Sequence, residues 1–133
     1  MRDDDDLTPQ LGELETEIMN AMWELKEANV QAVVDALRPR RNLAYTTVMT
    51  VMSRLAEKGY LKRRKDGRSF VYTPGPSRDA VAGKMLEQVV DKLYQGAAGK
   101  AIAHLLESDE DVDDEELDRL EALIRAKRKE RGR

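Results

Sequence analysis

Residues 40–73 read RRNLAYTTVMTVMSRLAEKGYLKRRKDGRSFVYT. Val48, Val51, Met52 and Leu55 recur at the spacing of one buried helix face, which predicts a helix over 44–58. Gly59 follows as a left-handed stop. Two β-prone runs then flank Asp66-Gly67, a pair common at tight hairpin turns because both residues accept positive φ. The outer face of the helix carries Thr46, Thr47, Met49, Thr50, Ser53 and Arg54. A face that is merely solvated would carry Glu and Lys instead. Small hydroxyl side chains let a helix sit deep in a major groove, where Thr meets base edges or phosphates and its methyl meets thymine. Arg54, further along, is placed to reach a phosphate or a guanine.

Charge is segregated around this helix. Residues 38–68 hold ten Lys/Arg (38, 40, 41, 54, 58, 62, 63, 64, 65 and 68) against Glu57 and Asp66, although the whole chain has a formal net charge of −3. A polyanion is the natural partner of such a surface, and helix followed by hairpin suggests duplex DNA. Cations on an edge hairpin also discourage edge-to-edge pairing. Five between residues 62 and 68 exceed that need and point to phosphate contact. Phe70 and Tyr72 share a strand face that should fold back onto the helices while the first strand projects its cations. The expected DNA-contacting set is Arg40, Arg41, Tyr45, Thr46, Thr47, Met49, Thr50, Arg54, Arg64, Lys65 and Arg68.

Upstream, Asp3 to Asp6 form a like-charge block that reads as a disordered acidic end, residues 1–10. Thr8-Pro9 is a helix-start signal, and Leu11, Leu14, Ile18, Met22 and Leu25 follow the helical period, with Met19 and Trp23 widening the face. Asn29 offers a cap for a second helix through Val30, Val33, Val34 and Leu37, which Pro39 ends. Three helices and a hairpin, the third helix bearing the polar small-residue face, make a winged helix-turn-helix over residues 11–76. The fold class is therefore mostly α with a small β-hairpin, followed by a helical segment.

Beyond Pro74-Gly75-Pro76 the composition changes. A fourth helix pairs its apolar residues as Val81-Ala82, Met85-Leu86, Val89-Val90 and Leu93-Tyr94. After Gly96 and Gly99, Ala101, Ile102, Leu105 and Leu106 form a fifth, and Leu117, Leu120, Leu123 and Ile124 mark a sixth capped by Asp113. Three such helices do not close a core alone. Symmetric pairing with a second copy is the simplest way to bury them. Val81, Met85, Leu86, Val89, Val90, Leu93, Tyr94, Ile102, Leu105, Leu106, Leu117, Leu120, Leu123 and Ile124 are the expected dimerisation residues, within a domain over 77–126. Ten acids between residues 107 and 121 read as solvated surface held away from DNA, and six cations in 125–133 as a basic tail (127–133) that frays.

Several classes are excluded. The chain has no cysteine and one histidine, His104, so disulfides and thiolate metal sites are ruled out and no metal or cofactor is expected. No nucleophile-and-base set or phosphate-cradling glycine loop supports an enzyme. The start, MRDDDDLTPQ, has no signal-like apolar segment and no run approaches a membrane span, so a cytoplasmic protein that does not itself bind membranes is expected.

Three motifs, LGELETEIMNAMW (11–23), AYTTVMTVMSRLAEKGYL (44–61) and RRKDGRSFVYTP (63–74), together resemble the BlaI/MecI/CopY family of bacterial repressors, the penicillinase repressors. The match is specific over 11–76 and looser over 77–126. The resemblance implies a homodimer that binds a palindromic operator and blocks transcription, reading it with Thr46, Thr47, Met49, Thr50 and Arg54 and touching it at the wing with Arg68. It also implies a membrane sensor protease as inducer. Copper-responsive members use a cysteine-rich site, which this chain lacks. The β-lactam-responsive members are cut at an Asn-Phe bond, and the similar place here reads His104-Leu105. The rival from another class is a winged helix that docks a protein partner. It predicts no salt-steep affinity for duplex DNA.

Overall fold

The computed structural model describes residues 11–108 and 110–132. The acidic end and the Thr8-Pro9 start signal lie outside them. The elements run α1 (Glu13–Leu25), α2 (Val30–Leu37), α3 (Tyr45–Lys58), β1 (Leu61–Asp66), β2 (Ser69–Pro74), α4 (Arg78–Leu93), α5 (Ala98–Ser108) and α6 (Asp114–Arg131).

Local chemistry sets these boundaries. Gly12 precedes α1, and its N–H donates to Glu15 Oε1 at 2.9 Å, half of a capping box. Asn29 caps α2, its Oδ1 accepting from the Ala32 N–H at 2.9 Å. Residues 38–44 connect α2 to α3, which begins at Tyr45, one residue later than predicted. Gly59 ends α3 at φ 94°, where a β-carbon would clash.

The core lies where α1, α2 and α3 meet. Ile18, Met19, Met22, Val33, Val48, Met52 and Leu55 are fully buried, and Tyr60, Leu61 and Tyr72 from the hairpin region close it. The helical stripes anticipated on α2 and α3 are the buried ones. On α1, Ile18, Met19 and Met22 are buried and Leu14 and Trp23 half-buried, as is Leu11 just before it, whereas Leu25, expected on the stripe, is exposed at the end of the helix. Burial of such side chains stabilises by about 1.5–3 kcal/mol each.

The hairpin is antiparallel, with Leu61 opposite Pro74, Arg63 opposite Tyr72 and Asp66 opposite Ser69. This register corrects the expected turn. Asp66 is the last residue of β1, so the two turn residues are Gly67 and Arg68. Only Gly67 has positive φ, 66°, as in a turn with glycine first. Arg68 therefore sits at the wing tip. Ala28, between α1 and α2, forms a bridge to Tyr72 on the other edge of β2, with N···O distances of 2.8 and 3.0 Å. That single-residue bridge anchors the wing to the α1–α2 connection.

The first compact unit runs to Gln88, beyond the expected boundary at Pro76. The Trp23 indole N–H donates to the Pro76 carbonyl at 3.0 Å, and the Arg78 guanidinium lies 5.4 Å from the Trp23 ring centre. These contacts return the chain to α1 as α4 begins. Val81, expected at the dimer stripe, is consequently a core residue, 5 % exposed, and Met85 packs beside that core.

The second unit holds the end of α4 with α5 and α6. Gly96 has φ 85° in the break before α5, whereas Gly99 lies inside α5 rather than interrupting it. Asp113 caps α6, accepting from the Glu116 N–H at 2.9 Å. The helix continues to Arg131, past the start of the expected fraying tail at residue 127. Arg128, Lys129 and Arg131 occupy its last turn, where cations favour the helix C-terminus.

Candidate nucleic-acid interface

One side of α3 is buried and the other is open. Tyr45, Thr46, Thr47, Met49, Thr50 and Arg54 are all exposed, while Val48, Val51, Met52 and Leu55 face the core. The helix is thus held rigidly from behind and presents hydroxyls, a thioether, a phenol and a guanidinium in front. Such a surface can donate to and accept from base edges without a bulky charge keeping it out of a groove.

The cations of the wing divide by face. Paired residues share a side of the hairpin, so Arg63 and Lys65 lie with Tyr72 and Phe70, and Lys62 and Arg64 with Thr73 and Val71. The expectation that the first strand simply projects its cations holds for Lys62 and Lys65, which are exposed and, among the described residues, are in none of the ion pairs. Arg63 differs. Its guanidinium lies 4.6 Å from the Phe70 ring centre and donates to Ser53 Oγ on α3 at 3.3 Å. Arg63 therefore straps the wing to the helix. Neither Arg63 nor Ser53 was in the expected contact set, and the only sequence signal was an arginine two residues after the core residue Leu61 and near an aromatic.

Three other cations are paired to acids of α1 or of the connection that follows it. Lys58 Nζ lies 2.9 Å from Glu15 Oε2, and Arg41 Nη1 lies 3.3 Å from Glu17 Oε2. Arg64 Nη2 pairs with Glu27 Oε2. Arg40 lines a shallow groove of about 490 Å³ between α1 and α2 with Glu17, Asn20, Ala21, Glu24, Leu25, Ala36 and Leu37. Of the expected phosphate contacts, Lys65 and Arg68 stand open, Arg40 borders the groove, and Arg41 and Arg64 are carboxylate-bound.

Burial disfavours the charged form of Glu15, but the hydrogen bonds from Lys58 and the Gly12 N–H, with the charges of Lys58 and Arg54, outweigh it and hold the carboxyl below its ordinary range. Burial raises the Tyr60 phenol, and the negative charge of Glu15 adds to that. Tyr60 stays neutral behind the interface.

Among the described residues no group of His, Asp and Glu is placed to hold a metal ion, and no helix is long and apolar enough to cross a membrane. Of the expected dimerisation residues, Val81 is buried, Met85, Val90, Tyr94 and Leu120 are half-buried, and the others keep their apolar atoms at the surface. Leu93 is 77 % exposed, and Leu86, Val89, Ile102, Leu105, Leu106, Leu117, Leu123 and Ile124 are also open.

Three helices, a hairpin wing and a hydroxyl-bearing third helix define a winged helix-turn-helix module. The family model described as penicillinase repressor matches residues 11–126. The chain belongs to that family. The transcriptional regulator BlaI of Mycobacterium tuberculosis (strain ATCC 25618 / H37Rv) is 40% identical over 100 residues, 74% of this chain and 72% of that one. The penicillinase repressor of Bacillus licheniformis is 28% identical over 116 residues, 87% of this chain and 90% of that one. The methicillin resistance regulatory protein MecI of Mammaliicoccus sciuri is 25% identical over 123 residues, 92% of this chain and 99% of that one. Among solved structures, the solution structure of the DNA-binding domain of the repressor BlaI aligns with a TM-score of 0.49 at 33% identity, covering 54% of this chain and 88% of that chain. The Bacillus licheniformis BlaI monomeric form in complex with the blaP half-operator aligns at 0.46 with the same identity and coverage.

Proposed function

We propose that the protein is a transcriptional repressor that binds a palindromic operator as a homodimer, with α3 in the major groove and the wing along the phosphate backbone. The observation that carries this reading is the open face of α3, hydroxyls and Arg54 in front of a fully buried stripe, beside a wing tipped by Lys65 and Arg68. Thr46, Thr47, Met49, Thr50 and Arg54 read bases. Lys65, Arg68, Arg40, and on engagement Arg41 and Arg64, fix register through phosphates.

The apolar side chains left open on α4, α5 and α6 support pairing with a second copy, which would take them out of water. A twofold pair sets its two reading helices roughly 34 Å apart, one turn of DNA. The resemblance to the β-lactam-responsive repressors supports a membrane sensor protease as the inducer. His104 and Leu105 lie within α5, so a cut there requires that helix to unwind first.

Footprinting of the purified protein on the DNA upstream of its own reading frame tests the proposal. An inverted repeat with two protected half-sites, centred about 10 base pairs apart, is expected. Protection that ignores sequence, or none, contradicts it.

A further inference from the structure

Two of the arginines expected at phosphates are already occupied by carboxylates, and those pairs have unequal surroundings. Arg41, in the segment leading into α3, holds Glu17 at 3.3 Å. The Glu17 side chain is only 17% exposed, and its second oxygen, Oε1, is buried with no hydrogen-bond partner. If Arg41 swings out to a phosphate, Glu17 is left as a largely dehydrated, unpaired carboxylate. Arg64, in the wing, holds Glu27 at the surface, both side chains being more than half exposed. A pair so exposed contributes little to folding stability. Its effect is on the field that DNA meets.

We propose that Glu17 and Glu27 damp the attraction to DNA by holding Arg41 and Arg64 as internal counter-ions, so that phosphate attraction alone does not recruit the full cationic face. The inference rests on the DNA-binding reading and names residues of the same surface. A random duplex offers phosphates only. When an arginine already paired to a carboxylate moves to a phosphate, the freed carboxylate must take a cation from solution, cancelling the counterion that the DNA releases. Non-specific binding is then weaker and less salt-steep than the cation count implies. At the operator, base contacts by α3 offset the cost of drawing both arginines away, so affinity there is lowered by at least as much as on a random duplex. The acids thus lower affinity for both kinds of site.

The test uses the full-length protein with Glu17→Gln, Glu27→Gln and both together, titrated against a random duplex and the footprinted operator over a range of salt. Each substitution is expected to tighten random-duplex binding about threefold to tenfold near 100 mM salt and to steepen the log–log salt slope by roughly 0.9. Operator affinity rises at least as much. The Glu27→Gln gain should vanish in an Arg64→Gln background, and that of Glu17→Gln in an Arg41→Gln background. Unchanged random-duplex affinity and slope overturn the proposal, as does an equal gain in the arginine-substituted backgrounds. Glu27 is exposed, so its variant carries the test alone if Glu17→Gln disturbs folding. If the unsubstituted protein shows no salt-steep duplex binding, the DNA-binding reading has failed, and that result is distinct from a wild type that binds but does not respond to the acid substitutions.

Discussion

At Arg54 and Lys65, two cations of one surface, different tasks follow from their settings. Arg54 stands on the open face of α3 among hydroxyls, while Lys65 is an exposed side chain near the wing tip. Arg54→Ala should weaken operator binding by about 1–3 kcal/mol while affecting random duplex less; Lys65→Ala should weaken both alike and flatten the salt slope by about one unit. Anisotropy titrations on both duplexes check this, and equal losses for Arg54→Ala would remove its base-reading role. Behind the interface, Glu15 joins α1 to α3 through Lys58. Its lowered pKa means that the stabilisation is present above the ordinary carboxylate range and is lost as pH falls through the folded-state value. Glu15→Gln should therefore cost roughly 1 kcal/mol near neutral pH. The deficit should close on acidification, as read by denaturant melts at several pH values; a deficit independent of pH would show that charge is not the cause. The open residues of α3 were legible in the sequence because the helical period sets them on the face opposite the buried stripe. The ion pairs were not, since Lys58–Glu15, Arg64–Glu27 and Arg41–Glu17 join positions 43, 37 and 24 residues apart. Nothing in a local pattern reports contacts of that range.

The helices were the most readable elements, since each of α1, α2 and α3 carries its own period and α2 its own Asn29 cap. The hairpin was readable as a hairpin but not to the residue. Asp66-Gly67 and Gly67-Arg68 both suit a two-residue turn, and the choice falls to pairing between the strands. The Ala28 bridge that anchors β2 is too short to leave a sequence pattern. The exit from the wing is tighter than its Pro-Gly-Pro composition suggests. The Gly75 N–H donates to the Tyr60 carbonyl at 2.9 Å, and a β-carbon at Gly75 would stand 2.8 Å from the Gly59 carbonyl oxygen. Both groups are backbone, so neither yields easily. Gly75→Ala is expected to destabilise the protein by about 1–3 kcal/mol. A thermal melt indistinguishable from the unsubstituted protein would show that the wing exit is looser than this geometry.

For the whole molecule, composition separates a cationic reading unit from an acidic helical one, and the structure divides the chain a little later, after Gln88. The shift arises because Val81 and Met85 complete the first unit's core, a contact that an apolar stripe on α4 does not distinguish from a stripe awaiting a partner copy. If the remaining open aliphatics are the dimer surface, Leu93→Glu together with Leu123→Glu should convert the protein to a monomer by sedimentation while leaving helix content intact. A dimer that survives both substitutions would place the contact elsewhere. The most direct test of the twofold, DNA-reading molecule is an equilibrium titration of the full-length protein, at several salt concentrations, on a duplex carrying the footprinted inverted repeat and on its scrambled counterpart. Two protomers should bind the repeat at least about 1,000-fold tighter than the scrambled duplex, with affinity for both falling steeply as salt rises. Equal affinity for the two duplexes, or binding indifferent to salt, would contradict it.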